Sequence, residues 1–380
     1  MRRRKRRMSN LPSELVEEII SRVQMKYMGI VRSTCKTWNS FFQDPSFVKK
    51  HIGQAAASTR ERGFLMITRD DRVQLISVNL NENHKNKDFD LSINRKGALR
   101  IGGISDHVVY NISQVFHCNG LWLCVSSNIR TRSRVVVWSP YWGNTRWIDD
   151  RKDDWGLVQR FAFGYDKSCG SYKILKWFLF HHLKIFNLSN NSWKIHNVTL
   201  DLVDNIEIGY RQQGVSLKGN TYWHAGSYQS RDAFLLCFDF TREKFGPRLP
   251  LPSGYKYECE VYLSAVREEK LLVLIRPWRT YDIKVWITNK IEPDAVSWTN
   301  FLKVDITPQV DIMFQIKSFF IDEEKKIAVV FGEIYNSQIC SIAFIIGENG
   351  YFRRVDLGMF GNIQLHPFVY SYAPNSLQIK

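Results

Sequence analysis

The chain has 380 residues, 44% hydrophobic and 14% aromatic, which suffices for a sizeable buried core and suggests two domains. No apolar run reaches the roughly 18 residues that read as a membrane span, and the basic start lacks the apolar segment of a secretory signal, so secreted and membrane-spanning classes are excluded. Of the net charge of +16, six units lie in one run, Arg2, Arg3, Arg4, Lys5, Arg6 and Arg7, leaving +10 spread over the rest. Residues 1–8 therefore read as a basic tail, either a solvated arm or a nuclear-import signal, with nucleus and/or cytoplasm as the expected location.

Pro12, followed by Ser13 as the expected cap, starts a helix whose first turns carry Glu14, Glu17 and Glu18 at the end that favours carboxylates. Leu15, Val16, Ile19, Ile20 and Val23 recur every three or four residues and share one apolar face. A second apolar series, Met28, Val31, Cys35, Trp38 and Phe42, predicts a second helix that ends at Asp44-Pro45. Such a unit is below the size at which one core usually suffices, so it should lean on a partner or on the rest of the chain.

After a linker over residues 53–62 the helical period disappears, and short β-branched and aromatic runs alternate with polar turns through residues 63–380. Turns near Asp70, Gly120, Ser168, Gly219, Glu269 and Glu324 recur at steps of 48 to 55 residues. Trp138, Phe186, Phe238, Trp286 and Phe344 follow a similar step, and Trp147, Trp193, Phe245, Trp298 and Phe352 trail them at similar offsets. A period of about 50 residues is that of kelch blades. The fold class is α+β multidomain: a small helical module, then an all-β repeat domain read as a kelch-like β-propeller of about six blades. A β-sandwich is the alternative, but it requires no such repeat. The last strand, Pro367 to Tyr372, falls where another first strand would lie, closing the ring on the N-terminal unit or opening a partial seventh.

Residues 9–52 resemble the F-box, through Leu11-Pro12, Leu15, Ile19-Ile20, Val23, Cys35-Lys36 and Trp38. The chain departs from that pattern at Gln24, where proline is usual, at Met28, where leucine is usual, and at Gly29, where glycine inside a helix costs about 1 kcal/mol relative to alanine. Further on, Phe116-His117-Cys118-Asn119-Gly120-Leu121, Val137-Trp138-Ser139-Pro140, Phe161-Ala162-Phe163-Gly164-Tyr165-Asp166 and Phe245-Gly246-Pro247-Arg248-Leu249-Pro250 are similar to the plant F-box associated interaction domain. The resemblance implies a substrate-recognition subunit of an SCF-type ubiquitin ligase. Its partners would be the SKP-family adaptor and, through it, the cullin and RING subunits, together with a target protein held by the β domain. It also implies that Leu11, Pro12, Leu15, Ile19, Ile20, Val31 and Trp38 are shared between the module's own core and the adaptor surface, without apportioning them. Such a receptor is no enzyme and needs no cofactor. A non-degradative adaptor-binding scaffold is one alternative. A basic nucleic-acid binder is another, although the basic and aromatic interleaving of single-strand RNA modules is missing, so specific nucleic-acid binding is not expected.

The search for chemistry agrees with a non-catalytic role. No G-x-S-x-G elbow, P-loop or H-E-x-x-H is present. His181 and His182 are adjacent in an apolar run and point to opposite faces of a strand. Seven scattered cysteines show no C-x-x-C pair and read as reduced thiols, with Cys118 and Cys124 set across a hairpin by Asn119-Gly120. Asp153-Asp154, Glu268-Glu269 and Asp322-Glu323-Glu324 fall at turns and read as solvated.

Overall fold

The structure is a computed structural model that describes residues 11–23, 28–44, 46–48, 50–51, 62–68, 72–83, 88–100, 111–128, 131–140, 142, 144–149, 160–177, 183–196, 206–208, 213–227, 231–252, 259–277, 282–305, 314–335, 339–357 and 365–371. The helical unit begins with α1 (Ser13–Ser21). Ser13 is its first helical residue and not its cap. Pro12 takes the cap position, and its carbonyl accepts the N–H groups of Leu15 and Val16 at 3.1 Å. The single second helix expected from Met28 to Phe42 is two, α2 (Met28–Thr34) and α3 (Lys36–Phe41). Cys35 separates them because its backbone is extended and its Sγ accepts the Trp38 N–H, serving as the cap of α3. The chain is helical again at 46–48 and 50–51, where Asp44 Oδ1 accepts the Ser46 N–H at 2.8 Å. Val16, Ile20, Phe42, Phe47 and Val48 form the core of the unit.

Among the described residues twenty-six strands follow, in six antiparallel sheets, five of four strands and one of six. The first contains β1 (Arg62–Thr68), β2 (Arg72–Asn83) and β3 (Asp88–Arg100). The second contains β4 (Asn111–Cys118), β5 (Leu121–Asn128), β6 (Thr131–Ser139) and β7 (Asn144–Ile148). The third contains β8 (Arg160–Asp166), β9 (Ser171–Trp177), β10 (Leu183–Asn187) and β11 (Ser192–His196). The fourth contains β12 (Ile206–Glu207), β13 (Val215–Leu217), β14 (Asn220–Ser227), β15 (Ala233–Asp239), β16 (Lys244–Phe245) and β17 (Leu249–Pro250). Here β12 and β13 both pair with β14, while β16 and β17 both pair with β15, so four short strands stand in pairs at the two positions that flank β14 and β15. The fifth contains β18 (Cys259–Val266), β19 (Lys270–Pro277), β20 (Asp282–Glu292) and β21 (Ala295–Asp305). The sixth contains β22 (Phe314–Asp322), β23 (Ile327–Tyr335), β24 (Ile339–Gly347) and β25 (Phe352–Asp356).

The last strand, β26 (Leu365–Ser371), returns to the first sheet and pairs with β1, with Phe64 opposite Ser371 and Thr68 opposite Leu365. The ring therefore closes by joining the two ends of the β domain in one blade, which removes the edges an open stack would leave. This shifts the reading of the repeat. Because β26 takes the inner place of blade 1, the link near Asp70 joins that blade's second and third strands, whereas Gly120, Gly219 and Glu269 lie in links between first and second strands.

The hairpins follow from turn chemistry. Asn119-Gly120 and Lys218-Gly219 are two-residue turns with positive φ throughout, the twist that suits paired strands. Gly219 has φ +86°, and a Cβ there would lie 2.8 Å from the Tyr165 carbonyl. The apolar faces pack blade on blade: Phe116, Leu123 and Val137 meet Phe163 and Phe186 between blades 2 and 3, and Leu235 and Cys237 meet Leu271 and Val273 between blades 4 and 5. Three of the repeating aromatic pairs pack ring against ring. Phe186 contacts Trp193 at 5.1 Å, Phe238 contacts Phe245 at 5.0 Å, and Phe344 contacts Phe352 at 5.0 Å. Two outer-strand tryptophans also tie neighbouring blades, Trp193 Nε1 donating to the Asp149 carbonyl and Trp298 Nε1 to that of Pro250.

Candidate functional site

α1 divides the apolar residues of its sequence into two sets. Val16 and Ile20 turn inward and are 8% and 1% exposed, whereas Leu15 and Ile19 turn outward and are 52% and 42% exposed. Leu11, 39% exposed, precedes the helix beside the exposed Pro12 and extends the open apolar surface at its start. Leu15 and Ile19 are four residues apart and therefore lie one above the other on the same face. Of the remaining residues singled out from sequence, Ile20 is core, while Val31 and Trp38 are half-buried against that core. The structure thus makes an open apolar surface of Leu11, Pro12, Leu15 and Ile19, and assigns Ile20 to internal support. Arg2, Arg3, Arg4, Lys5, Arg6 and Arg7 lie outside the described residues.

Polar contacts brace α1 from the side. Lys50 Nζ reaches Glu17 Oε1 at 3.0 Å and Glu18 Oε2 at 3.3 Å, and Arg22 pairs with Glu18 at 2.7 Å. The hydrogen bonds from Arg22 and Lys50 hold the Glu18 carboxyl below its ordinary value, and Lys50 is raised by the same glutamates. These pairs are exposed and contribute little to stability each, but they connect α1 to the segment ending at His51. His51 carries no distinguishing signal in the sequence. It is fully buried, its Nε2 meets the Val23 carbonyl at 2.8 Å, and its ring stacks on Phe47. Burial lowers its pKa, more than the Val23 carbonyl raises it, so it favours the neutral imidazole.

Among the described residues of the β domain, two clusters of buried or half-buried titratable groups tie blades together. In the first, Lys173 Nζ lies 2.6 Å from Asp166 Oδ2 and 2.6 Å from Glu243 Oε1, and His196 Nε2 is 2.9 Å from Glu243 Oε2. Burial is the largest single effect on both carboxyls and pushes them up, but the hydrogen bonds from Lys173, Ser168 and Cys169 to Asp166, and the contacts of Lys173 and His196 with Glu243, together hold both below the ordinary carboxylate range. In the second, His117 Nδ1 meets Glu268 Oε1 at 2.7 Å while His117 Nε2 accepts the Gly120 N–H at 3.1 Å. Glu268 is therefore not the solvated turn carboxylate expected from sequence. It sits in the turn between β18 and β19, where Arg267 and Glu268 both have positive φ, and reaches from blade 5 to His117 of blade 2. Both nitrogens of His117 are committed, so the pair presents no free base.

Cys118 and Cys124 do not face each other. Cys118 is opposite Leu121 and Cys124 is opposite Val115, because the two-residue turn sets the register. Burial raises both thiols, which suits small apolar core residues and not nucleophiles. His181, His182, Asp153 and Asp154 lie outside the described residues. Among the described residues no group of three or more His, Cys, Asp and Glu is arranged to hold a metal.

Comparison with known proteins agrees with this division. Residues 8–50 match the family described as the F-box domain, and residues 64–379 match the F-box associated beta propeller domain. An F-box protein of Arabidopsis thaliana is 45% identical over 379 residues, covering 98% of this chain and 100% of that one. A putative F-box/kelch-repeat protein of the same plant is 47% identical over 380 residues, covering 96% of this chain and 99% of that one.

Proposed function

Because this chain belongs to the F-box proteins that carry an F-box associated beta propeller domain, we propose that it is the substrate-recognition subunit of an SCF-type ubiquitin ligase. The F-box holds the SKP-family adaptor, and through it the cullin and RING subunits, while the propeller holds a target protein. The observation that carries this reading is the open apolar surface of Leu11, Leu15 and Ile19 on a helix whose other face is already packed. Apolar side chains left open on one face of a short helix are what a partner groove requires.

The mechanism is proximity. A receptor supplies no reacting group. It raises the effective concentration of a target lysine beside the ubiquitin thioester carried by another subunit, and it selects the target by differences in binding energy. The basic run Arg2 to Arg7 would act as a nuclear-import signal, for a chain placed in the nucleus and/or cytoplasm.

Co-purification with the adaptor tests the reading, comparing wild type with a Leu11→Ala, Pro12→Ala double variant. A stoichiometric complex that the variant loses is the expected result, and a wild type that forms no complex overturns the proposal. Reconstitution with cullin, RING and a captured target then separates receptor from scaffold: a bound partner that never acquires ubiquitin is a scaffold's partner.

A further inference from the structure

The core of the F-box includes one residue that the F-box does not contain. Trp142, in the short link between β6 and β7 of blade 2, is 6% exposed and packs with Val16, Ile20, Phe42, Phe47 and Val48. Arg32 closes over it. Its guanidinium lies 4.8 Å from the centre of the indole, and its Nη1 donates to the Trp142 carbonyl at 3.2 Å. The Nε of the same arginine donates to Asn39 Oδ1 at 3.3 Å, so α2, α3 and the propeller link share one clamp.

Three physical points give this contact its weight. A helical unit of this length has too little core of its own to be stable without support. An indole is the largest apolar side chain a single position can add to a core. Links at the rim of a blade ordinarily face water, yet here the side chain is buried against Val16 and Ile20, the inward residues of α1.

We infer that Trp142 is a core residue of the F-box supplied by the propeller, so that the F-box is fully folded only while it rests on blade 2. Val16 and Ile20 are each one residue from the outward pair Leu15 and Ile19. Any loosening of the inward face therefore frays the helix that presents the outward one. Stabilisation of the helices by Trp142 is independent of the ligase role, whereas its effect on the adaptor rests on that role. An adaptor that binds only the folded helix loses affinity in proportion to the fraction that is locally unfolded.

Hydrogen exchange of the full-length chain, followed by mass spectrometry, reads this directly. Trp142→Ala is expected to speed exchange in residues 13–51 by about a hundredfold or more, the range of a large-to-small change in a core. Strands β8 to β25 should keep wild-type rates, and adaptor affinity should weaken by roughly tenfold. Trp142→Phe keeps an apolar ring and should give a smaller rise in the same peptides, which preserves the test if the alanine variant does not fold. Unchanged exchange at 13–51 in both variants overturns the inference, as does an equal rise throughout β8 to β25. A wild-type chain that does not bind the adaptor removes the ligase reading alone, and the exchange rates still decide on Trp142.

Discussion

Truncating the outward residues of α1 should weaken the adaptor complex without weakening the fold. Leu15 and Ile19 are 52% and 42% exposed, so the two together leave open about as much as one whole side chain. Covering one leucine or isoleucine side chain is worth about 1.5–3 kcal/mol, and alanine retains part of it, which leaves a loss of about 1–2.5 kcal/mol for Leu15→Ala, Ile19→Ala. At 1.4 kcal/mol per tenfold, Kd should rise by roughly 5- to 60-fold. Calorimetric titration of the full chain against the adaptor measures the change. Urea unfolding of the same variant should stay within about 0.5 kcal/mol of wild type, because neither residue is in the core. Val16→Ala is the contrasting control, since Val16 is 8% exposed and its loss should appear first in stability. A double variant whose Kd stays within about twofold of wild type would refute the assignment of this face to the adaptor.

Lys173→Met leaves Asp166 and Glu243 without their shared cation in a largely buried setting, and should cost about 2–4 kcal/mol in urea unfolding; an unaffected midpoint would mean that the cluster does not hold blades 3 and 4 together. His51 makes the F-box sensitive to acid. Burial lowers its pKa in the folded state, so below the unfolded value of about 6.5 the unfolded chain binds the proton more readily, and stability falls as pH falls by at most about 1.4 kcal/mol per unit. Exchange protection in α1 should therefore decline from pH 7 to 5.5, and His51→Gln should flatten the profile; a wild-type profile that is already flat contradicts this. Gly164→Ala places a Cβ 2.1 Å from Phe240 Cδ2 and 2.5 Å from the Gly219 carbonyl, and should lower stability by about 1–3 kcal/mol. A thermal midpoint equal to wild type would show that blades 3 and 4 are not in such close contact at that point. Deleting residues 2 to 7 should shift a fluorescent fusion from nucleus to cytoplasm, and an unchanged distribution would leave the basic run as a solvated arm.

The features legible in the sequence are those that repeat. Blade spacing, the aromatic marker on each third strand and the Asn119-Gly120 turn all depend on residues near one another in the chain. The division of α1 into inward and outward sets was not legible, because Leu15, Val16, Ile19 and Ile20 are equally apolar and only the packing partner separates them. The break at Cys35 is hidden in the sequence for a similar reason: the apolar spacing continues through it, and only the extended backbone there shows that the thiol acts as a cap. Closure displaced the first marker, since the strand that completes blade 1 lies some 300 residues further on. Glu268 is a surface carboxylate by composition and becomes a half-buried partner only because ring closure brings blade 5 to His117.

Trp142 combines both difficulties and separates two kinds of damage to the same helix. In sequence it is one more aromatic in a strand-turn-strand run, and Arg32, which clamps it, is 110 residues away. In the fold it supports one face of α1 while Leu15 and Ile19 occupy the other. Outward substitutions should therefore change affinity at constant exchange protection, and substitutions at Val16, Ile20 or Trp142 should change both together. A chain in which outward and inward variants gave the same pattern of exchange would have its adaptor surface and its core on the same residues, contrary to the exposure of the two sets.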